Sequence, residues 1–287
     1  MKYIVCSDES YISAERHRSI AAISFPQNNN EFINKYLFDI LKESGVSEFK
    51  WQKVRSAKYM FCAEKFINFI LDNVDQKQIR IDTIIWDTYD RRHSVIGRDD
   101  KANFARMFFH LLKNLMSKRE IEAKWEIYPD EKHEIDWETI LNCLINAGKR
   151  RTFFENPLFG DTFSEELFKI DKFEQICSNE VPCCQVADLF AGLAVFSKKY
   201  YQEYKTWSMI NGPQMTFFEQ INETTFSSAK NERFKTLDLL IKKCKSMKLR
   251  VSIDTNQSLS TFNPNCPINF WSYVPQHNLD KAPIKNS

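Results

Sequence analysis

The stretch YIVCSDES, residues 3–10, decides how the chain folds, because a run of strand-forming apolar residues ends there in two carboxylates and a serine. Successive side chains of a strand point to opposite faces, and both faces of this run are apolar, so the strand is expected inside a sheet covered by helices. Asp8 and Glu9 would then lie at the rim of the sheet, where α/β proteins hold ligands. The alternative is a solvated turn after the strand.

Composition places the chain among soluble globular proteins. Of its 287 residues, 43% are hydrophobic and 27% are charged, which suits one large domain or two smaller ones. The 24 phenylalanines and 6 glycines favour long helices and bulky cores. No glycine-rich phosphate loop is present, which excludes nucleotide hydrolysis of that type. A net charge of +2 neither requires nor excludes a nucleic-acid partner.

Cysteine usage indicates a reducing compartment. The 8 cysteines form no Cys-x-x-Cys pair, so a zinc site is not expected. Cys183 and Cys184 are interpreted as small packed residues, with a reactive thiol as the alternative. The first apolar stretch is too short for a signal peptide, and no run is long enough to span a membrane. These features predict a cytoplasmic protein.

Hydrophobic periodicity predicts that strands and helices alternate along the chain. Further strands are predicted at 18–25, 79–86, 125–128 and 249–254, with weaker strand patterns at 48–53 and 173–178. Helices are predicted at 32–41, 57–74, 101–117, 136–148, 183–204 and 231–247. The segments 149–167 and 264–283 are expected to be irregular.

Three of the predicted strands end in an acidic residue, namely Asp8, Asp87 and Asp130. Clustered carboxylates repel one another and take up protons unless a divalent cation keeps them ionised. Ligand sets made only of oxygen favour Mg²⁺ or Mn²⁺. Two such ions can activate a water molecule and stabilise the leaving oxygen of a phosphodiester. Asp87 is a further candidate whose role the sequence leaves open.

A fourth acid, Asp188, lies in the middle of a helix of small apolar residues. A charge in such a place is costly unless it is paired or binds a metal ion. Gln185, Asp188 and Gly192 share one helical face, so the alternative is that this face meets solvent.

The segment 48–53 is predicted to be an edge strand that carries two lysines. Lys50 and Lys53 either bind the phosphate groups of a substrate or only solvate the edge. The 5 histidines show no spacing typical of nucleophilic catalysis, which gives Ser/His or Cys/His chemistry little support.

Four motifs resemble domain-of-unknown-function family 3800, which is regarded as ribonuclease-H-like and is common in bacteria and their mobile elements. They are DES at 8–10, YPD at 128–130, CSN at 177–179 and QVADLFAG at 185–192. The helix motif is the most specific of the four. Together the motifs frame residues 1–205.

The resemblance implies an α/β fold with a mixed sheet, a central first strand and helices on both faces. It also implies a nuclease that cleaves DNA or RNA with two metal ions, Mg²⁺ or Mn²⁺. By position, Asp8, Asp130 and Asp188 would be catalytic metal ligands. Glu9 would join them in catalysis, and Gln185 would orient the ligands or the substrate.

This chain departs from the family pattern at two places. The usual glycine after Asp-Glu-Ser is Tyr11, and the lysine-bearing segment near residue 50 matches loosely. Residues 1–205 are predicted to form the ribonuclease-H-like core, and residues 206–287 a helical and irregular extension packed on it.

Two classes of function are compatible with these features. The first is a nuclease of a defence system or mobile element, whose nucleic acid would meet the basic clusters at 91–92, 149–151 and 198–199; otherwise these clusters are plain solvated surface. The second is a non-catalytic nucleic-acid-binding or scaffold protein of the same fold. Its aromatic tail at 270–273 would stack on bases or on a protein partner. Packing of that tail on the core is the favoured interpretation.

Overall fold

The computed structural model describes residues 1–10, 16–90, 99–131, 135–152, 163–211 and 226–274. In these ranges the strands are β1 (Lys2–Ser10), β2 (His17–Pro26), β3 (Arg80–Asp87), β4 (Ala123–Pro129), β5 (Lys149–Thr152), β6 (Phe163–Glu166), β7 (Phe168–Phe173), β8 (Val251–Ser252), β9 (Ser260–Thr261) and β10 (Ile268–Ser272). The helices are α1 (Asn30–Glu43), α2 (Ala57–Asp72), α3 (Asp100–Met116), α4 (Trp137–Gly148), α5 (Pro182–Lys199), α6 (Tyr201–Ile210) and α7 (Ser228–Ser246). No helix within the described ranges is long and apolar enough to cross a membrane.

Six strands form one mixed sheet in the order β10-β3-β2-β1-β4-β7. β1 pairs antiparallel with β2 and parallel with β4, while β10 pairs parallel with β3. The first strand is therefore central. Helices α1, α2, α5, α6 and α7 contribute to the core on one face of the sheet, and α3 and α4 cover the other face. The α/β class, the mixed sheet and the helices on both faces are confirmed.

The alternation of side chains along β1 explains why this strand lies inside the sheet. Ile4 and Cys6 belong to the core on the α5 side, whereas Tyr3 and Val5 belong to the core on the α3 side. Burying apolar side chains on both faces stabilises the strand at about 25 cal/mol for each Å² removed from water. Asp8 continues the face of Ile4 and Cys6, which directs it toward α5.

The helix predictions agree with the structure to within a few residues, because each helix presents an apolar stripe to the sheet. Asp136 begins α4 as predicted, since its carboxylate accepts the backbone N–H of Thr139. The predicted helix 183–204 is instead divided into α5 and α6 at Tyr200, whose φ of −116° and ψ of 26° are not helical. No glycine or proline marks this break in the sequence.

The predicted edge strand at 48–53 is wrong. Trp51–Lys53 forms a 3₁₀ turn, in which the N–H of Val54 donates to the carbonyl of Trp51 over 3.0 Å. Phe49 and Trp51 are buried in the core on the α5 side. Burial of these two aromatic rings holds the segment across α5 rather than along the edge of the sheet.

Three further predictions need correction. The strand expected at 173–178 lies earlier, at β7, where Phe168 is buried and most of the other residues are charged. The segment 149–167, expected to be irregular, contains the paired strands β5 and β6, and residues 153–162 lie outside the described residues. The tail contributes β10 to the main sheet, a parallel pairing whose partner lies far away in the sequence and leaves no local signal. Residues 275–283 of that tail are not described.

A buried ion-pair network fixes β10 to the sheet. Asp82 accepts hydrogen bonds from Arg80 Nε (2.5 Å) and Lys118 Nζ (2.9 Å), and also from the Asn269 side chain of β10 (2.7 Å). Arg80 also donates to the carbonyls of residues 264–265. Burial alone would raise the pKa of Asp82, but the charge and hydrogen bonds of Arg80, with those of Lys118, lower it.

Replacing Asp82 by asparagine is expected to lower the free energy of unfolding by about 3 kcal/mol, because two buried cations lose their counter-charge. The pKa of Asp82 is lower in the folded than in the unfolded state. Its contribution is therefore present above about pH 4 and is lost as the pH falls. Urea denaturation at pH 7 and at about pH 2 measures both effects. The control is Asp72→Asn, whose exposed carboxylate pairs with Lys243 and should matter by less than about 0.5 kcal/mol. Equal effects of the two substitutions would contradict the prediction.

Candidate functional site

The carboxyl ends of β1 and β4 and the middle of α5 meet at an open cleft of about 390 Å³. The cleft is lined by Asp8, Glu9, Ser10, Lys50, Gln52, Lys53, Asp130 and Asp188. Three acids that belong to separate sequence motifs, at 8, 130 and 188, thus lie at one place. Both predicted substrate-binding lysines lie there as well.

The parallel pairing of β1 with β4 brings Asp8 and Asp130 together. Ser7 is in register with the residue before Asp130, and its carbonyl accepts the N–H of Asp130 over 2.8 Å. Asp8 Oδ1 accepts the N–H of Glu9 over 2.7 Å, and Asp130 Oδ1 accepts the N–H of Ser178 over 2.9 Å. Backbone amides thus orient one oxygen of each carboxylate. Within the described residues, the other oxygen of each accepts no hydrogen bond.

Asp188 reaches the cleft from α5, and its side chain is held in the same manner. Its Oδ2 accepts the N–H of Trp51 over 2.6 Å, and the residue is only 8% exposed. Gly192, one turn further along α5, makes room for the Trp51 ring, because a Cβ there would lie 2.1 Å from Trp51 Cγ. The alternative that this face of the helix meets solvent is therefore wrong.

Gln185 lies behind the carboxylates and does not line the cleft. Its Oε1 accepts the N–H of Phe49 over 2.7 Å, and its Nε2 donates to the carbonyl of Ser178 over 2.7 Å. The side chain is fully buried. Gln185 therefore holds together two of the segments that form the site, and its amide is not available for direct contact with a substrate.

Lys50 places its ammonium group among the acids. Nζ donates to Ser178 Oγ over 2.8 Å and lies 3.2 Å from Glu48 Oε1 and 4.0 Å from Asp130 Oδ2. Ser178 Oγ in turn donates to Glu48 over 3.0 Å. Burial alone would lower the pKa of Lys50, but the surrounding carboxylates, Asp8 foremost, raise it. Lys50 is therefore charged.

Burial and the repulsion of neighbouring carboxylates raise the pKa values of Asp8 and Asp188. Loss of solvent is the main cause for Asp8, and the charges of Asp188, Glu9 and Asp130 add to it, so that its pKa lies well above the usual range. Burial raises the pKa of Asp188 to about 7, although the N–H of Trp51 and the charge of Lys50 oppose the shift. Near neutral pH, burial thus favours the protonated forms of Asp8 and Asp188.

Two other groups at the rim are less buried. Glu9 is half-buried and adds a fourth carboxylate next to Asp8. Lys53 is exposed, and its Nζ lies 5.8 Å from the centre of the Tyr59 ring. These positions leave both side chains accessible to a ligand in the cleft.

Asp87 does not belong to the cleft. It lies at the end of β3, and both of its carboxylate oxygens accept from Arg16, with Nη2 at 2.7 Å from Oδ2. Burial would raise its pKa, but the hydrogen bonds from Arg16 and from the N–H of Tyr89 lower it. Asp87, whose role the sequence left open, is therefore the ion-pair partner of Arg16.

A cluster of thiols lies behind Asp8. All 8 cysteines of the chain are free, and Cys6, Cys183 and Cys184 are buried. The hydrogen bond with Cys6, together with burial, raises the pKa of Cys184 well above its ordinary value. The interpretation of Cys183 and Cys184 as packed residues is confirmed, and neither is exposed for reaction.

The aromatic tail packs on the core, as the favoured interpretation predicted. Phe270 is fully buried and stacks on Phe190 with a centroid distance of 6.1 Å. Trp271 and Tyr273 pack against the core on the α3 side.

The basic clusters lie away from the lining of the cleft where they are described. Lys198 donates to the carbonyl of Asn256 over 2.9 Å, and Lys199 lies over the Tyr200 ring. Lys149 is in β5, and the side chains at 150–151 and the whole of 91–92 lie outside the described residues.

Sequence reasoning missed the residues that support the site from outside the acidic motifs. Glu48 and Trp51 carry no chemical signal in the sequence, because their roles arise from contacts with residues more than 100 positions away. Ser178 lies in the CSN motif but had no role assigned. Its backbone N–H and its hydroxyl join Asp130, Lys50 and Glu48.

The chemistry of the cleft fits a hard divalent cation. The available donors are carboxylate oxygens, which suit Mg²⁺ or Mn²⁺, and burial raises the pKa values of two of the carboxyl groups, Asp8 and Asp188. In the described part of the chain, no group of three or more His, Cys, Asp or Glu side chains is arranged to hold a metal ion as it stands. A cation would require the free oxygens of Asp8, Asp130 and Asp188 to move closer together.

Comparison with known proteins shows full-length relatives. The uncharacterized protein ORF2' of Methanothermobacter thermautotrophicus is 35% identical over 290 residues, which cover 97% of this chain and 96% of the relative. The chain belongs to the ORF2 family. The ORF2 protein of the same organism is 32% identical over 290 residues, with the same coverage. The similarity within the ORF2 family thus includes the C-terminal extension. No family model matches the chain.

In the metal-free protein at pH 8, Asp188→Asn is expected to raise the free energy of unfolding by about 2 kcal/mol. The melting temperature should rise by a few degrees. The raised pKa means that the native carboxylate contributes stability below about pH 4 that is lost as the pH rises through about 7. Asparagine avoids this loss and still offers an oxygen to the Trp51 N–H. Thermal denaturation at pH 5 and pH 8 measures the effect, with Asp72→Asn as the exposed control. A variant less stable than the native protein at pH 8 would sink this interpretation.

Proposed function

We propose that the chain is a metal-dependent nuclease that cleaves the phosphodiester bonds of DNA or RNA. The observation that supports this most directly is the convergence of Asp8, Asp130 and Asp188 on one open cleft that also contains Lys50 and Lys53. Carboxylates suit divalent cations, and lysines suit phosphate groups. Both kinds of side chain that phosphodiester cleavage would use thus line one cleft.

The fold supports the same proposal. A mixed sheet with a central first strand and helices on both faces is what a ribonuclease-H-like protein requires, and the candidate ligands lie at the carboxyl end of that strand and of β4. We therefore propose a ribonuclease-H-like core and membership of domain-of-unknown-function family 3800 on the basis of the motifs. A defence or mobile-element role in the cytoplasm is the setting that this resemblance suggests.

In this proposal Asp8, Asp130 and Asp188 would hold Mg²⁺ or Mn²⁺ by their carboxylate groups. When bound, a pair of such ions supplies a water molecule of lowered pKa and charge stabilisation for the leaving oxygen. A bound cation would favour the ionised form of Asp188, because a nearby positive charge opposes the effect of burial on its pKa. Glu9, at the rim, accepts hydrogen bonds from water or from the substrate.

The basic side chains of the cleft recognise the substrate. Lys50 is held by Ser178 and Glu48, so its ammonium group is fixed close to the acids and contacts the phosphate that is cleaved. Lys53 is more exposed and contacts a neighbouring phosphate. These two contacts do not distinguish DNA from RNA, because both lysines would contact phosphate groups, which the two nucleic acids share.

The test is incubation of the purified protein with labelled single- and double-stranded DNA and RNA, in the presence of Mn²⁺ or Mg²⁺ and then with a chelator. Cleavage is expected with the metal and not with the chelator. Asp188→Asn is expected to reduce the rate by at least about 100-fold, because a carboxylate that holds the ions is lost. Gel electrophoresis of the products measures the rate.

The control for cleavage is Asp72→Asn, which removes an exposed carboxylate elsewhere and should leave the rate unchanged. Melting temperatures of both variants establish that they are folded. Metal-independent cleavage, or full activity of Asp188→Asn, would contradict the mechanism. Binding of nucleic acid without any cleavage would favour the non-catalytic alternative.

Lys53→Met is expected to weaken substrate binding rather than chemistry. Loss of one phosphate contact should raise KM about three- to tenfold, with kcat nearly unchanged, and should reduce the slope of log affinity against log salt by about 1. Steady-state kinetics from 50 to 200 mM salt measure both quantities. Lys58→Met removes an exposed lysine that does not line the cleft and serves as the control. Identical behaviour of the two variants would exclude Lys53 from the substrate path.

A further inference from the structure

We propose that Arg233, on helix α7 of the C-terminal extension, is a positioning residue of the cleft. It would hold the segment 50–54, which supplies three of the groups lining the cleft and the N–H that orients Asp188. The inference rests on the proposed function for its consequence in catalysis. The physical linkage that it describes can be tested without any activity.

The guanidinium of Arg233 binds the backbone of this segment at three carbonyls. Nε donates to the carbonyl of Val54 over 3.1 Å, and Nη2 donates to that of Gln52 over 3.1 Å. Nη2 also lies 3.4 Å from the carbonyl of Trp51. One side chain thus contacts the carbonyls of three residues in a turn that pairs with no strand in the described part of the chain.

The same guanidinium is also fixed by aromatic rings. Its central carbon lies 5.2 Å from the centre of the Trp51 ring and 5.9 Å from that of Phe196. A planar cation stacked on rings and forked toward several carbonyls is a geometry that lysine cannot reproduce.

Trp51 is therefore held from two sides. Its backbone N–H donates to Asp188 of α5 over 2.6 Å, and its carbonyl and ring contact Arg233 of α7. Its neighbours Lys50, Gln52 and Lys53 line the cleft. Displacing the carbonyl side of this turn would move the N–H away from Asp188 and the lysine side chains away from the substrate.

This arrangement gives the C-terminal extension a role in the site. Helix α7 packs in the same core as α2 and α5, with Phe234 and Leu237 fully buried. Arg233 directly precedes Phe234 in the sequence. Burial of the phenylalanine therefore fixes the position of the Arg233 backbone next to the turn. The extension would then act as a support for the lysine-bearing segment rather than as a separate module.

The test compares Arg233→Met and Arg233→Lys with Lys242→Met. Lys242 is on the same helix, carries the same charge and pairs with Asp238 in an exposed position, so the control removes one cation without touching the turn. Hydrogen–deuterium exchange is measured for peptides covering residues 49–55 in the metal-free protein. Exchange there is expected to become at least tenfold faster in Arg233→Met, because loss of hydrogen bonds from a charged group frees the turn. Arg233→Lys should fall between that variant and the native protein.

Two functional measurements follow on the same proteins. The dissociation constant for Mn²⁺, measured by electron paramagnetic resonance, should rise about tenfold in Arg233→Met, the size expected for one charged hydrogen bond. KM should rise as well, while kcat at saturating metal and substrate stays within about threefold of the native value. A purely structural loss would instead lower the fraction of active protein and leave KM and the Mn²⁺ constant unchanged.

The outcomes separate the two proposals. Unchanged exchange at 49–55, or faster exchange spread equally over α5 and α7, would overturn the role of Arg233. If the native protein neither binds Mn²⁺ nor cleaves nucleic acid, the proposed function fails, and the exchange experiment still decides whether Arg233 holds the turn. Faster exchange with an unchanged Mn²⁺ constant and KM would leave Arg233 as a structural residue and would also overturn the proposal.

Discussion

A hydrogen bond between a buried carboxylate and one backbone amide, from Trp51 to Asp188, is the interaction on which the site depends. It joins the buried helix α5 to the turn at Trp51–Lys53. Gly192 allows the Trp51 ring to approach α5, and Gln185 accepts the backbone N–H of Phe49, two residues before Trp51. The small-residue helix motif is thus explained by packing as well as by chemistry, since three of its residues contact the same short segment.

The cleft also shows why such a site is costly to the fold. Burial and mutual repulsion raise the pKa values of Asp8 and Asp188, so the carboxylates destabilise the protein as the pH rises. Lys50 offsets part of this cost from within the cleft. A fold optimised only for stability would carry neutral residues at these positions. Stability alone therefore does not explain why acids occupy these positions.

Much of the fold could be predicted because hydrophobic periodicity is a local property. The apolar faces of β1, α3 and α7 appear in the sequence as regularly spaced apolar residues within short segments, and these elements form where that spacing predicts them. The predictions that failed concern segments whose conformation is set by distant contacts. The turn at Trp51–Lys53 is fixed by α5 and α7, and β10 is recognised only by its pairing with β3 and by the hydrogen bond of Asn269 to Asp82.

By itself, the sequence determined the α/β class and the place of the first strand inside a sheet, because the alternation of apolar residues is a local pattern, and it named the candidate acids. Only the tertiary structure decided which of those acids meet. Asp8, Asp130 and Asp188 share a cleft, whereas Asp87, which like Asp8 lies at the end of a strand, pairs with Arg16. The register of β1 with β4 and the packing of α5 determine which acids lie together. Both depend on contacts between residues that are far apart in the chain.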